Sequence, residues 1–120
     1  MATPYSGPQS IQEERTWAML AHLLGFLTSV IGPLIIWLIK RKQSSFVAFH
    51  SLQALLFQAA VAVIYAAAHN LLFTGPMLLV EAIAAFINLA VSAFAAYSAW
   101  EGRPWEIPVI GRYARRWSAL

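Results

Sequence analysis

Three long stretches of the chain carry almost no charge, and short polar blocks separate them. Residues 17–39 form the first and end at Lys40, Arg41 and Lys42. Residues 46–68 form the second and end near His69 and Asn70. Residues 77–100 form the third, with Glu81 as its one charge, close to the start. At about 1.5 Å per residue, a helix over any of these reaches roughly 35 Å, enough for the hydrocarbon layer of a bilayer. The pattern predicts an all-α integral membrane helical bundle of three spans, with Ser45 capping the second helix and Thr74, Gly75 and Pro76 breaking the chain before the third. Residues 1–13 are polar and read as a disordered tail, residues 14–104 as the transmembrane domain, and residues 105–120 as a basic, aromatic tail at the headgroup layer. No basic start or small-residue cleavage site precedes the first run, which is therefore expected to stay as an anchor.

Gly32 and Pro33 interrupt the first stretch. A proline inside a helix removes a backbone hydrogen bond and kinks it, so one span kinked at this point is the simpler expectation. The alternative is a break, a hairpin turning between Thr28 and Pro33, which gives four helical segments and puts the N-terminus inside. Residues 33–39 offer only about 10 Å of helix, too little to recross the membrane, although a re-entrant or interfacial segment would fit.

Charge then sets an orientation. Lys40, Arg41 and Lys42 follow the first run, and Arg103, Arg112, Arg115 and Arg116 follow the third, leaving Arg15 alone of the eight basic residues elsewhere. Basic residues near span ends favour the cytoplasmic face. The three-span reading therefore predicts a multi-pass membrane protein with its N-terminus outside and its C-terminus cytoplasmic. Trp17, Trp37 and Trp100 fall near span ends, where amphipathic rings prefer to lie.

Composition agrees: 60% hydrophobic against 11% charged residues is not the balance of a soluble domain of this length. The formal charge of +3 sits in blocks beside the apolar runs rather than over a face, which argues against nucleic acid as a partner. With no cysteine, disulfides, thiolate catalysis and cysteine-held metals are excluded.

Each run carries one stripe of small and polar residues at helical spacing. The first holds Ala18, His22, Gly25, Ser29 and Gly32. The second holds His50, Ala54, Gln58, Ala62, Tyr65 and His69, with Gln53 beside them, and the third Glu81, Ala85, Asn88, Ser92, Ala95 and Ala99. Small residues let helices approach and polar ones bond across the contact, so helix packing is the first reading. The functional reading is a polar cavity at mid-membrane depth built from His22, Gly25, Ser29, Gln58, Asn88 and Ser92. His22 is the one candidate ligand for a haem or chlorophyll, since His50 and His69 lie too far apart along their helix to share a metal. Otherwise no cofactor or metal is expected. The carboxylates Glu13, Glu14 and Glu81 belong in this reading to one end and Glu101 and Glu106 to the other, so no catalytic constellation assembles and the chain reads as no enzyme.

The segments ERTWAMLAHLLG, residues 14–25, and IGPLIIWLIKRKQSSFVAFH, residues 31–50, resemble a bacterial family of small membrane proteins without an agreed activity. That family is distantly similar to the Tic subunit of the protein-import machinery in the chloroplast inner envelope. The segment WEGRPWEIP, residues 100–108, resembles the same family's ending, whereas its usual asparagine-phenylalanine-glutamine stands here as Leu56, Phe57 and Gln58. The resemblance implies a place in the bacterial inner membrane and four membrane helices, as in the plastid relatives, and adds weight to a broken first span. Two readings of function follow. The first is an accessory or assembly subunit that packs against other membrane proteins or copies of itself in the lipid bilayer. The second is a transport or translocation component lining a polar path, and a tetrapyrrole-binding subunit is a further alternative.

Overall fold

The computed structural model describes residues 8–118, which form five helices and no strand. They are α1 (Pro8–Thr28), α2 (Ile31–Lys40), α3 (Ser45–Leu71), α4 (Thr74–Trp100) and α5 (Ile110–Ser118). Helices α3 and α4 are each long and apolar enough to cross a membrane. The tail expected over residues 1–13 lies outside the described residues as far as position 7, and from Pro8 onward the chain is helical.

The first apolar run is not one kinked span but two helices, the hairpin alternative that turns between Thr28 and Pro33. Helix α1 stops at Thr28, Ser29 takes a left-handed conformation with φ of 61°, and α2 starts at Ile31. The Thr28 hydroxyl donates to the Leu24 carbonyl at 2.7 Å and accepts from the Gly32 amide at 2.8 Å, so it closes one helix and caps the next. Pro33 then falls in the first turn of α2, where its missing N–H would have had no helical partner. The residue expected to bend a helix instead helps to begin one.

Helix α2 folds back along α1. A Cβ added to Gly32 would stand 2.7 Å from the Cβ of Leu24 and from the Thr28 hydroxyl, and the ring of Pro33 lies beside Gly25. At the other end Lys40 sits 4.7 Å over the Trp17 ring, and Glu13, Glu14, Gln43 and Ser44 share a small crevice with it. Arg15 abuts Gly102, just past α4. Trp17, Trp37 and the start of α1 therefore lie at the same end as the basic loop and the C-terminal segment, not at the opposite end as the three-span reading has it. All eight basic residues gather at one end, here called the basic end. Glu13 and Glu14 join Glu101 and Glu106 there, so their expected separation does not occur, and Glu81 is left at the distal end against His69.

Helix α3 begins one residue earlier than expected, since the Ser44 hydroxyl, not that of Ser45, accepts from the Val47 amide at 3.1 Å. The polar residues 69–76 interrupt the chain less than expected. His69 and Asn70 stay in α3, Pro76 sits in the first turn of α4, and only Leu72 and Phe73 lie between the helices. Helix α4 ends on a Schellman turn: the Gly102 amide reaches the Ala99 carbonyl and the Arg103 amide the Ser98 carbonyl, both at 2.9 Å. Gly102 has φ of 78°, which a side chain would strain.

Packing follows the small-residue stripes. Helix α1 lies against α3 and α4, α2 against α1 and α3, and α5 against α3. Ala21, Ile36, Val47 and Ala54 make one buried cluster with Trp17, Leu20 and Leu24 around it. Phe49, Leu52 and Ala114 make a second, flanked by Trp37, Leu55 and Leu56.

Candidate functional site

A seam of buried polar side chains runs through this packing, and three groups of bonds compose it. In one of them, Gln53 of α3 uses both ends of its amide on the chain after α4. Its Nε2 donates to the Trp105 carbonyl at 3.1 Å and its Oε1 accepts from the Ile107 amide at 2.7 Å. Backbone groups buried away from water must be satisfied, and Gln53 does this for the Trp105 carbonyl and the Ile107 amide as a neighbouring strand would. The docking of α5 depends on the same place. A Cβ on Gly111 would come within 2.5 Å of Gln53 Oε1 and 2.6 Å of the Glu106 Cα. Arg115 closes the corner by pairing with Glu106 and lying 4.4 Å over the Phe49 ring.

Nearer the start of α3, His22 of α1 and His50 of α3 meet with Nε2 and Nδ1 3.0 Å apart, and His50 Nε2 lies 3.0 Å from the Arg103 carbonyl. A carbonyl only accepts, so His50 Nε2 is the donor there. In the neutral ring His50 Nδ1 is then the acceptor, and His22 Nε2 donates to it. The relay ties α1, α3 and the end of α4 together. Phe46 and Phe49 lie edge-on to the His50 ring at 4.6 and 5.1 Å. His22 is 2% exposed, and a tetrapyrrole metal at its Nε2 would have to replace the bond to His50.

Deepest, Gln58 of α3 and Asn88 of α4 exchange reciprocal amide bonds. Gln58 Nε2 donates to Asn88 Oδ1 at 2.8 Å and Asn88 Nδ2 donates to Gln58 Oε1 at 3.2 Å, while the Ser92 hydroxyl donates to Asn88 Oδ1 at 2.9 Å. Gly25 of α1 packs against Gln58, where a Cβ would stand 3.2 Å from the Gln58 Cγ. The arrangement can hold helices in register and satisfy buried amides. It places no nucleophile beside a base, and among the described residues no three metal-binding side chains converge.

Of the six residues expected to form a packing seam or polar cavity, five are brought into it: His22, Gly25, Gln58, Asn88 and Ser92. Ser29 is not on a helix face at all; it makes the α1–α2 turn. With Thr28 it borders a cavity of about 530 Å³ over the hairpin, whose wall includes Gln58, Tyr65 and Asn88. His50 and Gln53 belong to the seam as fully as any residue expected there. They were visible as members of the second stripe, but their partners come from the hairpin and the C-terminal segment, 28 and 52 to 54 positions away. Among the topology residues, Arg41 lies 4.6 Å over Trp37, and Arg103 pairs with Glu101 at 3.5 Å. Arg112, Arg116 and Trp100 are exposed.

The comparisons with known proteins bear on the family. They show no similarity to the chloroplast import subunit. No curated protein and no solved structure matches the chain. One family model matches residues 13–114, from the first glutamate of α1 to the buried face of α5, and the chain belongs to that family, the Magnetosome magnetite crystal formation protein family.

Proposed function

We propose that this protein is a non-enzymatic integral membrane protein that works as an accessory or assembly subunit, packing against other membrane components. In this reading α3 and α4 cross the bilayer, the α1–α2 hairpin enters from the basic end, and the basic end faces the cytoplasm, as the positive-inside tendency favours. The carrying observation is the outer surface of α4. Its inward stripe of Asn88, Ser92, Ala95, Ala96 and Ala99 is buried, while Leu78, Leu79, Ile83, Phe86, Ile87, Leu89 and Phe94 are exposed. A run of large apolar side chains that the chain itself leaves uncovered needs lipid or another membrane protein as its solvent.

Mutual satisfaction of Gln58, Asn88 and Ser92 supports the packing role over a conducting path, since a path needs polar groups left free for its cargo. The family is described by the formation of magnetite crystals in magnetosomes. Under this reading the chain contributes to such a process from within a membrane. Extraction of native membranes with mild detergent followed by native-size analysis tests the proposal. The expected result is resistance to alkaline wash and a particle well above one 13.3 kDa chain plus its detergent. A strictly solitary chain would remove the accessory reading, and release by the alkaline wash would remove the membrane reading itself.

A further inference from the structure

The two halves of the molecule contain different numbers of helices. Between the basic end and the level of Gln58 and Asn88, helices α1, α2, α3 and α4 are all present, with α5 alongside α3. About one helical turn beyond that level the hairpin turns at Ser29, and from there only α3 and α4 continue. Burial changes at the same boundary: from residue 62 to residue 87, Ala68 alone is buried. Helix α2 has 10 residues, so it rises about 15 Å, half of a hydrocarbon layer about 30 Å thick. Yet its outer face of Ile31, Ile35, Leu38 and Ile39 is exposed and apolar throughout. Such a face suits acyl chains, and a helix of that length reaches those of one leaflet only.

Helix α5 adds to the same side. Gly111 and Ala114 face α3, and Arg112, Tyr113, Arg116 and Trp117 face outward. Basic and aromatic side chains on a short docked helix are the composition of a segment lying at the headgroup layer. With each helix about 10 Å across, the two helices of the hairpin add about 160 Å² to one leaflet and nothing to the other, before α5 is counted.

We propose that the protein is a membrane wedge: it prefers, and helps to hold, a bilayer curved with the leaflet at the basic end on the convex side. The inference rests on the reading of α3 and α4 as bilayer spans. A leaflet that holds more protein cross-section is the one that expands, so the basic end belongs on the outside of the curve. The preference comes from shape, so it needs no anionic lipid.

The full chain, fluorescently labelled, is reconstituted into phosphatidylcholine vesicles of mixed diameter, and its orientation is read from trypsin access to Arg112, Arg115 and Arg116. For molecules with the basic end outward, surface density on vesicles of about 50 nm should exceed that on vesicles of about 400 nm by about twofold or more. Molecules with the basic end inward should show the reverse order. Equal density at all diameters, or the same preference in both orientations, would overturn the wedge while leaving the bilayer-spanning reading intact. Failure to enter the vesicles, with protein removed by alkaline wash, would overturn both.

Discussion

Helices α3 and α4 carry their stripes of small and polar residues from end to end, but the stripes have different fates in the two halves of the molecule. Towards the basic end, His50, Ala54 and Gln58 on α3 and Asn88, Ser92, Ala95 and Ala99 on α4 are buried. Towards the distal end, Ala62 and His69 on one helix and Ala85 on the other continue the same spacing and are exposed. The difference lies in what the stripe meets. Where α1 is present, small residues let three backbones close together and the amides find partners. Where the hairpin has turned back, the same pattern has nothing to face. Periodicity marks the side of a helix that is able to pack, and the neighbours decide how far along that side packing goes.

The comparison is most severely tested at the hairpin. Gly32→Val should cost about 3 kcal/mol, because a branched side chain must enter space held by Leu24 Cβ and the Thr28 hydroxyl at 2.7 Å, and neither is the loose end of a long side chain. Unfolding in detergent by a graded denaturant measures it. The loss should appear together with increased proteolysis around Ser29, since the α1–α2 contact opens first. A cost below about 0.5 kcal/mol, typical of an uninvolved surface site, would mean that α2 is not packed on α1.

An intermediate effect is expected where the hairpin's level ends. Replacing Gln58 or Asn88 singly with leucine leaves the other amide without its partner, at about 1–2 kcal/mol each. Replacing both should cost less than the sum, with a coupling of about 0.6–1.7 kcal/mol in a double-mutant cycle. Strict additivity would show that the two amides do not exchange bonds. Ser92, which donates to Asn88 Oδ1 at 2.9 Å, gives an internal control: Ser92→Ala should weaken the coupling without abolishing it.

Much of this was legible in the sequence. Apolar runs and stripes are local properties, and they located α3, α4 and the inward faces of both, including Gln58, Asn88 and Ser92. The arrangement of the first run was not, because Gly32 and Pro33 are as compatible with a kink as with the first turn of a new helix. Two features decide between these: the Thr28 side chain bonding across the break, and Ser29 adopting a positive φ. Hydropathy records neither. Once the hairpin is misread, His22 and His50 appear on opposite sides of the bilayer and their 3.0 Å contact cannot be anticipated. Gln53 was hidden for another reason. Its partners are backbone atoms of residues 105 and 107, and a backbone partner leaves no mark on residue identity.

The smallest effect should come from the distal half, and its smallness is informative. Leu79 and Ile83 are 62% and 51% exposed, and in detergent they contact apolar solvent both before and after the helices separate. In water, removing such side chains from a packed surface would cost 2 kcal/mol or more each. In an apolar solvent that reward for association is missing, because acyl chains are as apolar as the side chains themselves. Leu79→Ala and Ile83→Ala should therefore each change the stability of the isolated protein by less than about 0.5 kcal/mol, measured by the same unfolding assay. A loss above about 1 kcal/mol at either position would show this surface already packed against protein, and the distal half could then no longer be described as two helices facing lipid alone.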